Sequence, residues 1–558
     1  MTTYTVEELR ASIVEAARAI ASGRAEAQDL LDRYVAHGLA VEVLRPASEL
    51  LEQGEIAAAV ALYRTFLAQG DHVAVPAILR NMSIAMLQLG DLASARRFHI
   101  QAVAAGYQDL SGEAAWADFL IQHGQHEEAK QELRTRLLTL PQSAPLRSLL
   151  FTMREFSDMD PRPHLADHLA WWSAQPPVRQ LSGPPQPFAG RPLRLGVLVR
   201  DLRNHASFNR TFDAFPHIHG GEIDVSLVSI RGGAAIRDTL AGLQVHEVSA
   251  EDPDVLAEAL AALRFDMILD LVSHGNSRVF IALRRRPAAV QMGWISSGIT
   301  SGVPWIDYML TDGLISPVGS ERHYSECLVR LPVPSFAVPS LGHAPALVEP
   351  PLLRKGHVTF GVFNRVSKIT QASLEAWLQI LRRVPGAHLR IQNSNVSHPG
   401  VAARLRGFFT AGGIDAGRLS FGGAVPEAEY LRDIGETDIA LEPFPQTGGV
   451  TAFDALWMGV PTMIHVVDDR PCCRAALLPA SAAGIGSMVS ATVPDYIDTA
   501  VMLAGQPDFL RSLRFSMRER LAAAPFTQPQ VLARGLKTGL LAAWEHACNG
   551  RRDAMWVD

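Results

Sequence analysis

From Leu193 onward, short apolar runs alternate with segments of helical period, and that alternation leaves few folds open. Leu193–Val199, Ile223–Ile230, Val245–Val248, Phe265–Asp270, Ala289–Trp294 and Trp305–Asp312 read as strands, with a helix at Asp254–Leu263. A second set follows. Strands are expected at Val358–Phe363, His388–Gln392, Arg418–Phe421, Asp438–Leu441 and Thr462–Val466. Helices are expected at Thr370–Arg383, Val401–Ala411, Pro507–Ala523 and Gln530–His546. Strand–helix alternation buries both faces of a parallel sheet. The pattern therefore predicts two doubly wound, Rossmann-like α/β domains in tandem, residues 193–350 and 351–558. Such sheets bind ligands beyond the carboxyl ends of their strands. Two sets of strand ends facing each other across a cleft suit a large two-part substrate.

The loops after these strands carry the chemistry. Leu441–Pro461, LEPFPQTGGVTAFDALWMGVP, leaves a strand through the turn Thr447-Gly448-Gly449 and enters an apolar helix near Thr451. Glycine lets the backbone approach a ligand closely. A helix start offers N–H groups and partial positive charge, which suit a phosphate. Asp454 falls about one turn into that helix, within reach of a ribose hydroxyl. Lys368 lies between a strand end and a helix start, where an ammonium can neutralise a diphosphate. Tyr430, after the Gly422–Pro426 loop, offers a ring to a base. His205 and His274 follow two strands of the first domain, and an imidazole there can orient or deprotonate an acceptor hydroxyl. His217 and His219 read as structural, and the Ser296–Gly302 loop offers hydroxyls to a sugar or a peptide. Neither G-x-G-x-x-G nor a Walker-type loop follows either first strand, which counts against hydride transfer and ATP hydrolysis. No metal-ligand cluster is visible in the sequence, so a two-lobed transferase needing no metal or cofactor is expected.

Upstream, residues 5–160 have helical period throughout. Leu51-Glu-Gln-Gly54, Leu87-Gln-Leu-Gly90 and Ile121-Gln-His-Gly124 repeat one pattern, with glycines 36 and 34 residues apart. Ala59, Ala95 and Ala129 each stand five positions after a glycine. Glycine permits a tight turn between helices, and alanine lets the two helices approach. The spacing resembles tetratricopeptide repeats and predicts a short superhelix over residues 1–172 that holds a protein or peptide. Residues 173–192 are proline-rich and read as a linker.

The remaining totals narrow the setting. With 51 basic and 57 acidic residues the net charge is −6, which gives no electrostatic reason for nucleic-acid binding. The four cysteines form no C-x-x-C pair, so neither a zinc site nor a disulfide framework is expected. The start, MTTYTVEELR, is not a signal peptide, and no apolar run is long enough to span a membrane. A cytoplasmic protein is the expectation.

Several short motifs, in order, carry a family resemblance: Asn204-His205, Asp270-Leu271 with His274, and Arg286-Pro287-Ala288 with Val290-Gln291. Next come Thr300-Ser301-Gly302, Ile306-Asp307-Tyr308 with Thr311-Asp312, and Tyr324-Ser325-Glu326. Phe363-Asn364 with Lys368, Pro443-Phe444-Pro445 with Gly448-Gly449, and Asp454 through Pro461 complete the set. Over roughly residues 190–545 the chain resembles the catalytic region of O-linked N-acetylglucosamine transferases and SPINDLY-like proteins, glycosyltransferase family 41. The resemblance implies a GT-B fold behind a TPR-like all-α region. It also implies inverting, metal-independent transfer of a sugar from a nucleotide diphosphate to protein Ser or Thr. Lys368 would stabilise the departing diphosphate, while Asn364 belongs to the motif that carries it. The amides of Gly448, Gly449, Val450 and Thr451 would bind the phosphates, and Asp454 the ribose. Tyr430 and the Val425 backbone would frame the base. His205 would lie beside sugar and acceptor, with His274 in support.

The family pattern departs near the donor, at Thr447, Val450, Ala452 and Glu427. UDP-N-acetylglucosamine is the default donor. GDP-fucose, or a CMP-nonulosonic acid with flagellin as acceptor, are the alternatives among relatives. A non-catalytic repeat scaffold with a relic transferase region is the competing class, and a small glycan or lipid acceptor is a third reading.

Overall fold

The computed structural model describes residues 6–24, 27–29, 31–32, 46–47, 50, 55–69, 75–89, 91–106, 110–156, 162–187, 190–200, 210–230, 240, 242–250, 252–294, 299–397 and 399–557. They divide into two compact units: Met1–Leu120 with Asn395–Phe408, and Ile121–Ser394 with Phe409–Asp558.

The first unit is helical, with helices at Val6–Ala21, Ile56–Gln69, Val75–Gln88 and Leu92–Ala104. Ala59 and Ala95, the small residues of the repeat, are fully buried. Across the hairpin of the last two helices, the Ser83 hydroxyl donates to the Ala95 carbonyl at 2.9 Å. Gly54 and Gly90 fall outside the described residues. The third glycine of the pattern, Gly124 in the second unit, sits at φ +71°, the left-handed turn that favours glycine.

The second unit holds two parallel sheets. In the first, β1 (Leu193–Val199), β2 (Ile223–Ser229), β3 (Gln244–Glu247), β4 (Met267–Asp270), β5 (Val290–Trp294), β6 (Tyr308–Asp312) and β7 (Cys327–Leu331) form one lobe. The second is built from β8 (Thr359–Val362), β9 (His388–Gln392), β10 (Leu419–Gly422), β11 (Ile439–Leu441), β12 (Thr462–His465) and β13 (Val489–Ser490). A last strand, β14 (Met555–Trp556), returns to the first sheet. The orders are β14-β7-β6-β5-β4-β1-β2-β3 and β10-β9-β8-β11-β12-β13. All pairs within both sheets are parallel. Strand order reverses between β1 and β4 in one sheet and between β8 and β11 in the other, and such switch points open the crevices where ligands bind.

The expected strands form within a few residues of their predicted ends. β7 escapes sequence detection because Arg330 interrupts its apolar run. The buried guanidinium is satisfied locally by the Ser316 carbonyl at 2.6 Å, the Pro317 carbonyl at 3.0 Å and Glu321 at 2.5 Å.

Two expected boundaries are corrected. The helical region does not stay together through residue 172. Helices His126–Thr139, Ala144–Thr152 and Arg162–Ser173 belong to the body that holds the sheets. The second lobe, expected as 351–558, gives up its C-terminal end. Leu532, Leu536, Leu540 and Ala543 of the Pro529–Cys548 helix join Leu310, Val329 and Leu331 in the core of the first sheet. Gly535 and Gly539 make that approach feasible, since an added Cβ would meet Val333 at 2.3 Å or Leu331 at 2.6 Å.

Candidate active site

The switch point of the second sheet gathers residues from two strand exits. The exit of β8 is Phe363-Asn364, followed by a one-turn 3-10 helix, Val366–Lys368. The exit of β11 is Glu442 to Gly449, leading into the Val450–Trp457 helix. Side chains join the two. The Asn364 amide donates to Glu442 Oε1 at 3.0 Å, and the Thr451 hydroxyl donates to Asn364 Oδ1 at 3.0 Å. Thr370 and Ser373, at the start of the Gln371–Arg383 helix, donate to the Phe444 carbonyl at 2.7 and 3.0 Å.

Lys368 Nζ donates to the Thr447 carbonyl at 2.7 Å, which aims the ammonium at the turn just before the two glycines. Its side chain keeps part of its surface exposed, while its surroundings are largely protein. Burial, aided by the charge of Arg365, pulls its pKa down to about 8, against an opposing pull from Glu442. The tight turn needs its glycines. A Cβ on Gly448 would stand 2.2 Å from the Thr451 hydroxyl and 2.6 Å from Asn364 Oδ1. One on Gly449 would meet the Phe336 ring, from the connection between the lobes, at 3.1 Å.

Glu442 is the residue that sequence reasoning missed. It is buried, and its Oε2 accepts the Gly448 N–H at 2.5 Å. Burial pushes its pKa up, and the bonds from Gly448 and Asn364 oppose the shift. The Gly448 amide, expected to hold phosphate, is thus engaged by Glu442. The helix-opening amides of Gly449, Val450 and Thr451 are left for an anion, without intrahelical partners. A glutamate directly after an apolar strand was the available signal.

Thr447 and Ala452, two of the departures, are buried. The Thr447 N–H and hydroxyl both donate to the Cys472 carbonyl, at 3.0 and 3.3 Å, so this residue pins the turn. Val450 is partly exposed at the helix start. Asp454 is buried in the same helix, close enough to Tyr430 for its charge to reinforce the rise that burial imposes on the phenol pKa. Tyr430 stands edge-on to Phe363, ring centroids 6.1 Å apart, and is partly exposed, as is Val425 in the loop before it. Glu427 meets His343 at 3.1 Å on the surface.

In the first lobe, Asn204 and His205 lie outside the described residues, as do residues 295–298 of the Gly/Ser-rich stretch. His274, after β4, is described. Its Nε2 lies 3.2 Å from the Thr300 carbonyl, which fixes the proton on that nitrogen. Phe151, Phe280 and His168 surround the ring, and the buried Nδ1 has no hydrogen-bond partner. Burial drives its pKa down to about 3, so the ring is neutral near pH 7 and a weak base. Below it, Thr300 and the Ser301 amide hold the buried Glu326 at 2.5 and 2.6 Å.

The lobes are tied together beside this crevice. Asp469 takes Arg322 at 2.7 Å and His323 at 2.8 Å, and Arg474 donates to the Leu314 carbonyl at 2.7 Å. Among the described residues no His, Cys, Asp and Glu cluster could hold a metal ion, and no helix is long and apolar enough to cross a membrane.

A family model described as Glycosyl transferase family 41 matches residues 266–340 and 352–534. A probable UDP-N-acetylglucosamine–peptide N-acetylglucosaminyltransferase SPINDLY of Oryza sativa subsp. japonica is 27% identical over 313 residues, 56% of this chain and 33% of that protein. The Arabidopsis thaliana SEC protein, of the same description, is 24% identical over 393 residues, 68% of this chain and 40% of that one. The chain thus spans about a third of the length of the first curated relatives it matches. Among solved structures, a lysine-to-methionine mutant of the Thermobaculum terrenum O-GlcNAc transferase superposes with a TM-score of 0.80 at 26% identity, over 92% of this chain and 99% of that one. The two-lobed body is therefore a GT-B glycosyltransferase, and from β4 through β13 it matches the family 41 model.

Proposed function

We propose that this protein transfers a sugar from a nucleotide-diphosphate donor to Ser or Thr of a protein acceptor, with inversion and without a metal ion. The observation that carries the reading is the Lys368–Thr447 contact at 2.7 Å. It sets one ammonium against a glycine turn and a helix start at a sheet switch point. Lys368 neutralises the charge that grows on the leaving diphosphate, a contribution that increases toward the transition state. The amides of Gly449, Val450 and Thr451 hold the phosphates, Asp454 the ribose, and Tyr430 with Val425 the base. His274, neutral and bonded to the Thr300 carbonyl, shapes the acceptor side rather than taking the proton. The donor is UDP-N-acetylglucosamine, in line with the activity for which the plant relatives are named. A site with a dedicated diphosphate lysine favours UDP- or GDP-linked sugars over a CMP-linked one. The helical repeats hold the acceptor, a protein or peptide.

Thermal shift with UDP, GDP and CMP compounds tests the donor class, and intact-mass analysis of co-expressed acceptors identifies the sugar. Lys368→Ala is expected to lower transfer by at least about a hundredfold with the fold intact. Unchanged transfer in that variant sinks the diphosphate assignment.

A further inference from the structure

Lys368 sits on a turn of only three residues, Val366–Lys368, closed by the Lys368 N–H to the Arg365 carbonyl at 2.9 Å. So short a 3-10 turn has poor hydrogen-bond geometry and needs support from outside. That support comes from the helices ahead of the first sheet. His126 Nε2 lies 2.8 Å from the carbonyl oxygen of Ser367, the residue next to the lysine. A carbonyl only accepts, so Nε2 carries the proton. The imidazole stacks on Phe156 with centroids 5.0 Å apart and planes 13° apart, which fixes the direction of that N–H.

The other end of the lysine's support is tied to the same helical segment. Phe156 ends the turn Met153–Phe156, and Arg470 Nη1 donates to the Arg154 carbonyl of that turn at 2.9 Å. Arg470 leads into Pro471–Cys473, whose Cys472 carbonyl accepts the Thr447 N–H, and the Thr447 carbonyl accepts the Lys368 ammonium. The backbone beneath the lysine and the carbonyl above it are therefore both held by residues 126–156.

We infer that His126 is a positioning residue for Lys368, so that diphosphate affinity depends on a side chain of the helical segment that touches no donor atom. The inference rests on the reading of Lys368 as the diphosphate ligand. The test measures affinities of the full chain for UDP and GDP against UMP and GMP by calorimetry. It compares the wild type with His126→Ala, His126→Phe, His126→Gln and Lys368→Ala. His126→Ala is expected to weaken UDP or GDP by about threefold to tenfold, the worth of one hydrogen bond, and to leave the monophosphate unchanged. His126→Phe, which keeps the stack on Phe156 without the donor, behaves the same way. His126→Gln restores most of the loss, since its amide can donate. Equal losses for mono- and diphosphates, or no loss in a folded variant, overturn the positioning role. If Lys368→Ala weakens the diphosphates and His126→Ala does not, only that role fails. If Lys368→Ala leaves them unchanged, or the wild type does not prefer the diphosphate, the reading of the lysine fails as well.

Discussion

At the scale of single residues, Lys368 shows how burial tunes a charge. A solvated lysine is an ammonium far above neutral pH, but burial brings this one to about 8. Its charge is present below that pH and is lost as pH rises through it. Diphosphate affinity is therefore expected to fall at least about tenfold between pH 7.5 and 9.5, with proton uptake on binding at the higher pH. Calorimetry with UDP in buffers of different ionisation enthalpy measures both, and a flat profile would count against an ammonium contact. Glu442 shows the complement. Its carboxylate shapes the turn by holding the Gly448 N–H and the Asn364 amide.

At the scale of elements, the helices before the first sheet matter most. The Phe151 and His168 rings lie 4.2 Å apart, and His274 joins them from the loop after β4. Trp172 Nε1 donates to His168 Nε2 at 3.0 Å. Burial holds His168 down to about 2 and His274 to about 3. In the unfolded chain both histidines take up protons as pH falls below about 6.5, while the native state does not. The stability they contribute is thus fully present above about pH 6.5 and is lost progressively as pH falls toward 3. The slope is at most about 1.4 kcal/mol per pH unit for each ring. Melting temperatures at pH 7.5 and 5 are expected to differ by several degrees, and His168→Phe is expected to narrow that gap. The spacing of His274 after Asp270 was legible in the sequence. Two of the rings that keep it neutral, Phe151 and His168, come from more than a hundred positions upstream, and no local pattern links them to it.

At the scale of the whole molecule, the first lobe of the sheet-bearing unit is covered by segments from both ends of that unit. The Pro529–Cys548 helix and β14 return from the C-terminal side, and Ala144 and Trp172, from the helices ahead of β1, pack into its core from the N-terminal side. Gly302 is the contact point for the latter, at φ +65°, with an added Cβ 2.8 Å from Phe151 and 2.9 Å from His168. Gly302→Ala is expected to cost about 1–3 kcal/mol, from backbone strain and overpacking together. It should expose the Ala144–Ser173 segment to limited proteolysis before the sheets are cut. Simultaneous digestion of both would mean that the segment is not separately docked.

The sequence by itself determined the two parallel sheets, because strand–helix alternation has few other ways to bury both faces of each strand. It also placed Lys368, Gly448 and Gly449 in loops that follow strands, and Asp454 one turn into the next helix, whatever the packing details. Tertiary structure alone decided which amide of the glycine turn is committed to Glu442, and that Thr447 pins a turn. It alone decided that His274 is neutral and that His126 reaches the lysine's turn. These depend on approach between segments far apart in the chain, where burial and hydrogen bonding set the charge and direction of each group, and local period and propensity do not encode such approach.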